Sequence, residues 1–334
     1  MTIKLAINGF GRIGRNVLRA LHESPRTDLE IVAINDLAPA PSLAHLLQYD
    51  SVHGRFPGKV TATDTTIDIG QGPIKVTAER NPADLPWGEM GIDIVLECTG
   101  FFTKDVDAKK HIDAGAKKVL ISAPGKGDLK TIVYGVNHDT LTGDDVVVSN
   151  ASCTTNCLAP AAMVLEKEFG IDNGFMTTVH AYTGDQPTLD AVHKDPYRGR
   201  AAALSMIPTT TGAAKAVSLV LPSLEGKING VAIRVPTPNV SCVDLVVTLK
   251  KSVSEEDVNA AFKKYAAGAL KGVMSADDTD LVSIDFNHDP HSSAVQLKQT
   301  YVTDGNLVRI MSFYDNEWGF SNRMLDTASV MASL

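Results

Sequence analysis

The chain has 334 residues, 44% of them hydrophobic, and 31 basic against 39 acidic side chains leave a formal charge of −8. That is too long for one small core and points to two domains, since domains usually run about 100 to 200 residues. The acidic balance leaves no basic stripe to neutralise a phosphate backbone, which argues against a dedicated nucleic-acid binder.

No basic segment leads into a long apolar stretch at the N-terminus, and no later run approaches the roughly 18 apolar residues of a membrane span. The chain is therefore expected to be cytoplasmic, with no membrane partner. Ile3 to Asn8 reads as a buried strand, and Ile13, Val17, Leu18 and Leu21 then recur at helical spacing. Glu30 to Ile34 is a second apolar run, which completes a strand, helix, strand unit.

Between the first strand and its helix lie Gly9, Gly11 and Gly14. At that spacing Gly9 allows a tight turn, Gly11 admits a pyrophosphate against bare backbone, and Gly14 lets helix and strand pack closely. The helix start adds amides and a dipole suited to phosphate. Asp36 follows the second strand, where an acid accepts hydrogen bonds from the adenosine ribose hydroxyls and repels a 2′-phosphate. The cofactor is expected to be NAD rather than NADP.

The stretch from Ile67 to Val76, broken by Gly70, Gly72 and Pro73, reads as a peripheral hairpin. Ile92 to Leu96, Val119 to Ile121 and Val146 to Ser149 are further strands, with one helix from Val106 to Ala114 ending at Gly115. Such alternation implies a Rossmann-type α/β domain with a mostly parallel sheet, over residues 1–151.

Beyond it, longer strand candidates at Gly174 to His180, Gly230 to Val235, Ser241 to Leu249 and Val308 to Tyr314 predict an α+β domain with a largely antiparallel sheet, over residues 152–317. Ser254 and Asp257 form a capping-box signature before a helix carrying Val258, Ala261, Phe262 and Tyr265. Residues 318–334 hold a last helix, Ser321 to Ala332, whose apolar face of Met324, Leu325, Ala328 and Met331 is expected to return to the first domain.

Four cysteines are too sparse for a disulfide framework. Cys98, Cys157 and Cys242 read as packed thiols. Cys153 stands apart, because polar neighbours surround it where a strand gives way to an alanine- and leucine-rich helix. The helix dipole and free amides there are expected to lower its pKa, while Pro160 is expected to kink or loosen the first turns. Zinc binding by Cys153, Cys157 and His180 fits no common ligand spacing, so no metal is expected. His180, at a strand end before a polar loop, is placed to act as base for the thiol.

Ala-Ser-Cys-Thr-Thr-Asn-Cys around Cys153, Asn-Gly-Phe-Gly-Arg-Ile-Gly at the N-terminus and Tyr-Asp-Asn-Glu-Trp-Gly from Tyr314 to Gly319 resemble the phosphorylating glyceraldehyde-3-phosphate dehydrogenases, essentially end to end. The resemblance implies that Cys153 is the nucleophile and His180 its activator. It also implies a homotetramer in which the long loop after His180 contributes to a neighbouring cofactor site.

Glyceraldehyde 3-phosphate and inorganic phosphate need two anion pockets. Thr209 to Gly212 gather hydroxyls and amides before a helical run, Ala213 to Val220. Arg234 lies amid apolar strand residues, where it meets either an anion or a buried ion-pair partner. By resemblance, Ser152, Thr154, Thr183, Arg198, Thr211, Gly212 and Arg234 hold the substrate phosphate or the attacking phosphate. Arg12 and Ile13 touch the pyrophosphate through backbone, while Arg80, Ser122 and Asn316 contact the adenine side or the nicotinamide.

Two positions depart from the family pattern. Ala191-Val192 replaces the Leu-Pro that many NAD-specific members carry before the His-Lys-Asp of the loop, and Phe320 replaces a tyrosine after Trp-Gly. Two rivals share these features: a relative that oxidises erythrose 4-phosphate through the same cysteine and histidine, and a non-catalytic NAD-sensing protein.

Overall fold

The computed structural model describes residues 2–334. These form two compact units, one comprising the chain up to Ile132 with His138–Ala151 and Ser321–Leu334, the other Val133–Asn137 with Ser152–Phe320. A single cut after residue 151 would assign Val133–Asn137 to the first unit. They pack with the second because Gly135, at φ 85°, lies against Leu270 and Val273 so closely that a Cβ would meet their side chains at 3.1 to 3.3 Å. Trp318–Phe320 likewise belong to the second unit, although the last helix, Trp318–Ser333, continues from them into the first.

In the first unit, a nine-stranded sheet runs in the order Lys130–Thr131, Val147–Ser149, Lys118–Ile121, Ile94–Glu97, Ile3–Asn8, Leu29–Asn35, Pro73–Thr77, Thr66–Asp68, Thr61–Ala62. The first seven strands are parallel and the last two antiparallel. This is the expected mostly parallel α/β architecture. Leu5, Ala6, Ile7, Val95 and Leu96 are fully buried, as strands covered on both faces require. Ile3–Asn8 has Leu29–Asn35 on one side and Ile94–Glu97 on the other, so the strand order reverses about it. The register sets Asn8 beside both Asn35 and Glu97 at the carboxyl ends of their strands, where doubly wound sheets bind ligands.

One expectation is extended here and one corrected. The hairpin lies at the edge, as expected, but belongs to the main sheet: Pro73–Thr77 pairs in parallel with Leu29–Asn35 and buries Ile67 and Ile74. Its apolar alternation therefore extends the main sheet. The single helix expected from Val106 to Ala114 is two four-residue segments, Asp105–Ala108 and Lys110–Asp113, meeting at Lys109. The turn carries His111 fully into the core, where Trp87 and Glu97 bind it. Ala40–Gln48, after Pro39, is a helix that the apolar pattern did not reveal.

In the second unit, the sheet order is Ile207–Thr210, Ile228–Val235, Ile171–Ala181, Ser241–Leu249, Leu307–Tyr314, Ser293–Gln296, Met274–Asp277, with Tyr301–Thr303 also on Leu307–Tyr314. Most of its pairs are antiparallel, as expected, but Ile171–Ala181 runs parallel to Ile228–Val235. That parallel register opposes His180 directly to Arg234. The capping box forms: Ser254 accepts from the Asp257 amide, and the Asp257 carboxylate accepts from the Ser254 amide.

The helix after Cys153 does not show the expected loosening of its first turns. Cys153–Phe169 is one continuous 17-residue helix with Pro160 inside it. Ser152 Oγ accepts the Thr155 amide at 3.1 Å, and the Asn156 amide reaches the Ser152 carbonyl at 2.9 Å, so the first turn closes ahead of the proline. Only the carbonyl four residues before Pro160 loses its donor.

Candidate functional site

In the first unit, the glycine turn has the geometry its spacing implies. Gly9 adopts φ 92°, and a Cβ there would strike the Thr99 amide at 2.7 Å. One on Gly14 would meet the Gly9 carbonyl at 2.3 Å, whereas one on Gly11 would meet nothing within 4 Å. Gly9 and Gly14 are therefore demanded by the fold itself, while Gly11 keeps open the space before the helix. Gly11 caps Arg12–Glu23 without a side chain, and no acid sits in the first turn to compete for an anion.

A cavity of about 500 Å³ opens here, bordered by Gly9, Gly11, Asp36, Leu37, Arg80 and Phe101 among others. Arg12 turns its guanidinium away, into a two-pronged pair with Asp50 at 2.6 and 3.2 Å. Buried Asp50 is held well below the usual carboxylate range by that guanidinium and the amides of His53 and Val52, which outweigh the opposing effect of burial. Arg12 and Ile13 are thus left to offer backbone rather than charge. Asp36 accepts from the amides of Phe10 at 2.8 Å and Ala38 at 3.0 Å, which ties the second strand to the glycine turn. Ser122 follows Lys118–Ile121 and donates its amide to the Glu97 carbonyl. The open Gly11, the uncapped helix start and the acid at the strand end fit a dinucleotide.

A buried network below this turn was missed from the sequence. The Trp87 indole N–H donates to His111 Nδ1 at 3.0 Å, which places the ring proton on Nε2, 3.0 Å from Glu97 Oε2. Asn8 Nδ2 donates to the same oxygen at 2.6 Å, and the Thr99 amide donates to Glu97 Oε1 at 2.8 Å. Glu97 thereby pins Thr99, the residue that touches Gly9. Cys98 borders the cavity rather than packing in the core, and burial, with Glu97 beside it, pushes its thiol up to about 12.

In the second unit, Cys153 Sγ lies 3.5 Å from His180 Nε2. His180 Nδ1 is 2.7 Å from the Ala181 carbonyl, an acceptor only, so Nδ1 carries the proton and Nε2 turns its lone pair to sulfur. The expected lowering of the thiol pKa is not what the site produces. Burial pushes Cys153 up, and Arg234 with the Thr154 amide and hydroxyl only partly offset it. Burial and the Arg234 charge push His180 down, to about 3. As a unit, however, the pair is neutral whether the proton sits on sulfur or on Nε2, so transfer between them buries no net charge.

Arg234 is beside both groups. Among the described residues no carboxylate lies within ion-pair distance of it, which removes the buried ion-pair alternative. Its Nη1 donates to the Ala181 carbonyl at 3.1 Å and Thr183 Oγ1 at 3.3 Å, while Nε is buried with no partner. Burial and nearby Arg198 both destabilise its charge, which suits a site built for an anion. Arg198 pairs with Asp185 at 2.9 Å and donates to Thr209 Oγ1 at 3.1 Å. Thr211 Oγ1 accepts the Ala213 amide at 3.2 Å, next to Gly212 at the start of Ala213–Val220. Ser152 caps the Cys153 helix, and the hydroxyl of Thr154 is buried against Tyr314 at 2.9 Å.

Tyr314 also reaches Thr178 at 2.9 Å and sets its ring edge-on to His180, with centroids 6.0 Å apart. Its signal lay in the Tyr-Asp-Asn-Glu-Trp-Gly motif, but its work as a wedge required strand register, which opposes it to Ser241. Asn316 receives the Ser241 hydroxyl at 2.8 Å. Asp315 beside it accepts from Asn239, His288, Glu317 and Trp318 and so fixes the whole turn. Cys157 and Cys242 are buried, with burial pushing them up to about 12 and about 11.

The parallel sheet with its glycine turn at the strand reversal is the architecture of the dinucleotide-binding dehydrogenases. Among these, the chain belongs to the glyceraldehyde-3-phosphate dehydrogenase family. Residues 3–105 match that family's NAD binding domain and residues 152–316 its C-terminal domain. The glyceraldehyde-3-phosphate dehydrogenases of Cereibacter sphaeroides and Xanthobacter flavus are 65% and 64% identical to it, with all of each chain covered. That of Geobacillus stearothermophilus is 57% identical over 100% of this chain and 99% of its own.

Proposed function

We propose that the protein oxidises glyceraldehyde 3-phosphate to 1,3-bisphosphoglycerate with NAD⁺ and inorganic phosphate, Cys153 acting as nucleophile and His180 as its acid and base. The observation that carries this reading is the 3.5 Å approach of Cys153 Sγ to His180 Nε2 beside Arg234, which has no carboxylate partner among the described residues.

Sulfur attacks the aldehyde carbon, and its proton passes through Nε2 to the aldehyde oxygen, giving a hemithioacetal. NAD⁺, when bound, supplies the two-electron acceptor. On oxidation Nε2 takes the hydroxyl proton, and the Nδ1 bond to the Ala181 carbonyl steadies the imidazolium. The product on Cys153 is a thioester, which phosphate cleaves, freeing the thiol. Arg234, Arg198, Thr183, Thr211, Gly212, Ser152 and Thr154 are assigned to the two phosphates. Gly9, Gly11, Gly14, Asp36, Arg80, Ser122 and the backbone of Arg12 and Ile13 are assigned to NAD, with Asn316 at its nicotinamide end.

The protein is read as a cytoplasmic homotetramer. No helix of the described residues is long and apolar enough to cross a membrane. Leu189, Val192, Leu204 and Met206 are each more than 70% exposed within one stretch after His180, an apolar surface that a second copy would cover.

The test is NADH formation from glyceraldehyde 3-phosphate with and without phosphate, run beside NADP⁺ and erythrose 4-phosphate. Phosphate-dependent turnover with NAD⁺ is expected. Turnover indifferent to phosphate, or a higher specificity constant for erythrose 4-phosphate, overturns the reading.

A further inference from the structure

We infer that Ser241 is a positioning residue for the nicotinamide end of the cofactor, because its hydroxyl dictates which way round the Asn316 amide stands.

Ser241 is 2% exposed and opens the strand Ser241–Leu249. The antiparallel ladder between that strand and Ile171–Ala181 ends at Val179 and Cys242. Just past the ladder's end, the Ala181 amide meets the Ser241 hydroxyl at 3.0 Å instead of a backbone carbonyl. An amide N–H donates only, so Ser241 Oγ is the acceptor there. The remaining O–H is buried and needs an acceptor of its own. The group it reaches, at 2.8 Å, is Asn316 Oδ1, on a residue 5% exposed. Were the Asn316 amide reversed, its N–H would face a hydroxyl with no acceptor left for the hydroxyl proton. The present arrangement gives the Ala181 amide, the Ser241 hydroxyl in both its roles and the Asn316 amide oxygen a partner each.

With the amide oxygen of Asn316 engaged by Ser241, the residue presents its two N–H bonds as donors. A donor recognises the carbonyl oxygen of a carboxamide, and this inference rests on the assignment of Asn316 to the nicotinamide. Without the Ser241 hydroxyl, the amide loses its orientation and presents oxygen as readily as nitrogen, which repels the same carbonyl. Asn316 itself is held in place by the Asp315 turn, so only the rotation of its amide depends on Ser241.

The test measures binding rather than turnover, by calorimetry on the full chain, with NAD⁺ and with ADP-ribose, which lacks the nicotinamide. Ser241→Ala is expected to weaken NAD⁺ about tenfold and to leave ADP-ribose within about twofold. Asn316→Ala is expected to do the same, and the double variant to lose no more than either alone. Equal weakening of both ligands by Ser241→Ala, or additive losses in the double variant, overturns the inference. Normal NAD⁺ binding by Ser241→Ala with weakened binding by Asn316→Ala sinks the role of Ser241 alone. Normal binding by Asn316→Ala shows that the assignment of Asn316 has failed, and the inference falls with it.

Discussion

His180 faces Cys153 through Nε2 at 3.5 Å and is held from behind by the Ala181 carbonyl on Nδ1 at 2.7 Å. The ring cannot rotate without losing that bond. Its lone pair therefore stays directed at the sulfur, and ionisation of the thiol becomes a short proton transfer inside a pair whose total charge stays zero.

Cys153→Ser should lower kcat at least about a thousandfold, since a serine hydroxyl does not ionise at neutral pH in this site. NAD⁺ affinity and thermal midpoint should stay close to those of the parent. Measurable steady-state turnover near the parent rate would defeat the nucleophile assignment.

His180→Asn leaves the Cys153 thiol to ionise alone in a buried site, which burial already pushes up. Its alkylation by iodoacetamide at pH 7 should slow, with the midpoint of the pH profile moving upward, and kcat should fall about a hundredfold or more. An unmoved alkylation profile would mean that Arg234 and the helix start alone govern the thiol.

The same histidine links stability to pH. Its folded pKa, lowered to about 3 chiefly by burial, lies below the ordinary 6.5. Between those values the unfolded chain holds a proton that the native chain does not, so stability falls as pH drops through that window. The slope contributed is at most about 1.4 kcal/mol per pH unit. His180→Asn should flatten the denaturation midpoint between pH 7.5 and 5, and an equally steep curve would place the pH sensitivity elsewhere.

Gly11 and Gly14 should separate binding from folding. Gly14→Ala drives a methyl to 2.3 Å from the Gly9 carbonyl and should lower the thermal midpoint. Gly11→Ala adds its methyl to open space, so the midpoint should hold while NAD⁺ affinity drops about tenfold or more. Unchanged affinity in Gly11→Ala would show that no pyrophosphate lies against that backbone.

Trp87→Phe removes the donor to His111 Nδ1 in a wholly buried setting. The cost should be about 1–3 kcal/mol from the orphaned nitrogen, apart from lost packing, read by denaturant unfolding. A further His111→Leu change should cost less in this background than in the parent, because the orphan is then gone. Additive losses would argue against the coupling of the pair.

The amino-acid sequence by itself determined what depends on neighbours in the chain. Apolar runs and their spacing gave away the parallel sheet and its glycine turn, Ser254 and Asp257 announced their capping box, and Cys153 stood out at a helix start. Tertiary structure decided what depends on partners far along the chain. Pro160 sits in an unbroken helix whose residues from Thr154 to Leu165 are all buried by packing. The segment from Val106 to Ala114 breaks at Lys109, and the turn takes His111 to Trp87 and Glu97. The thiol is not lowered by the helix start, because burial acts against it more strongly. Strand register alone sets His180 opposite Arg234 and Ser241 opposite Tyr314. Spacing along a chain encodes periodicity and turns, whereas desolvation and hydrogen-bond partnership arise only once the strands have paired.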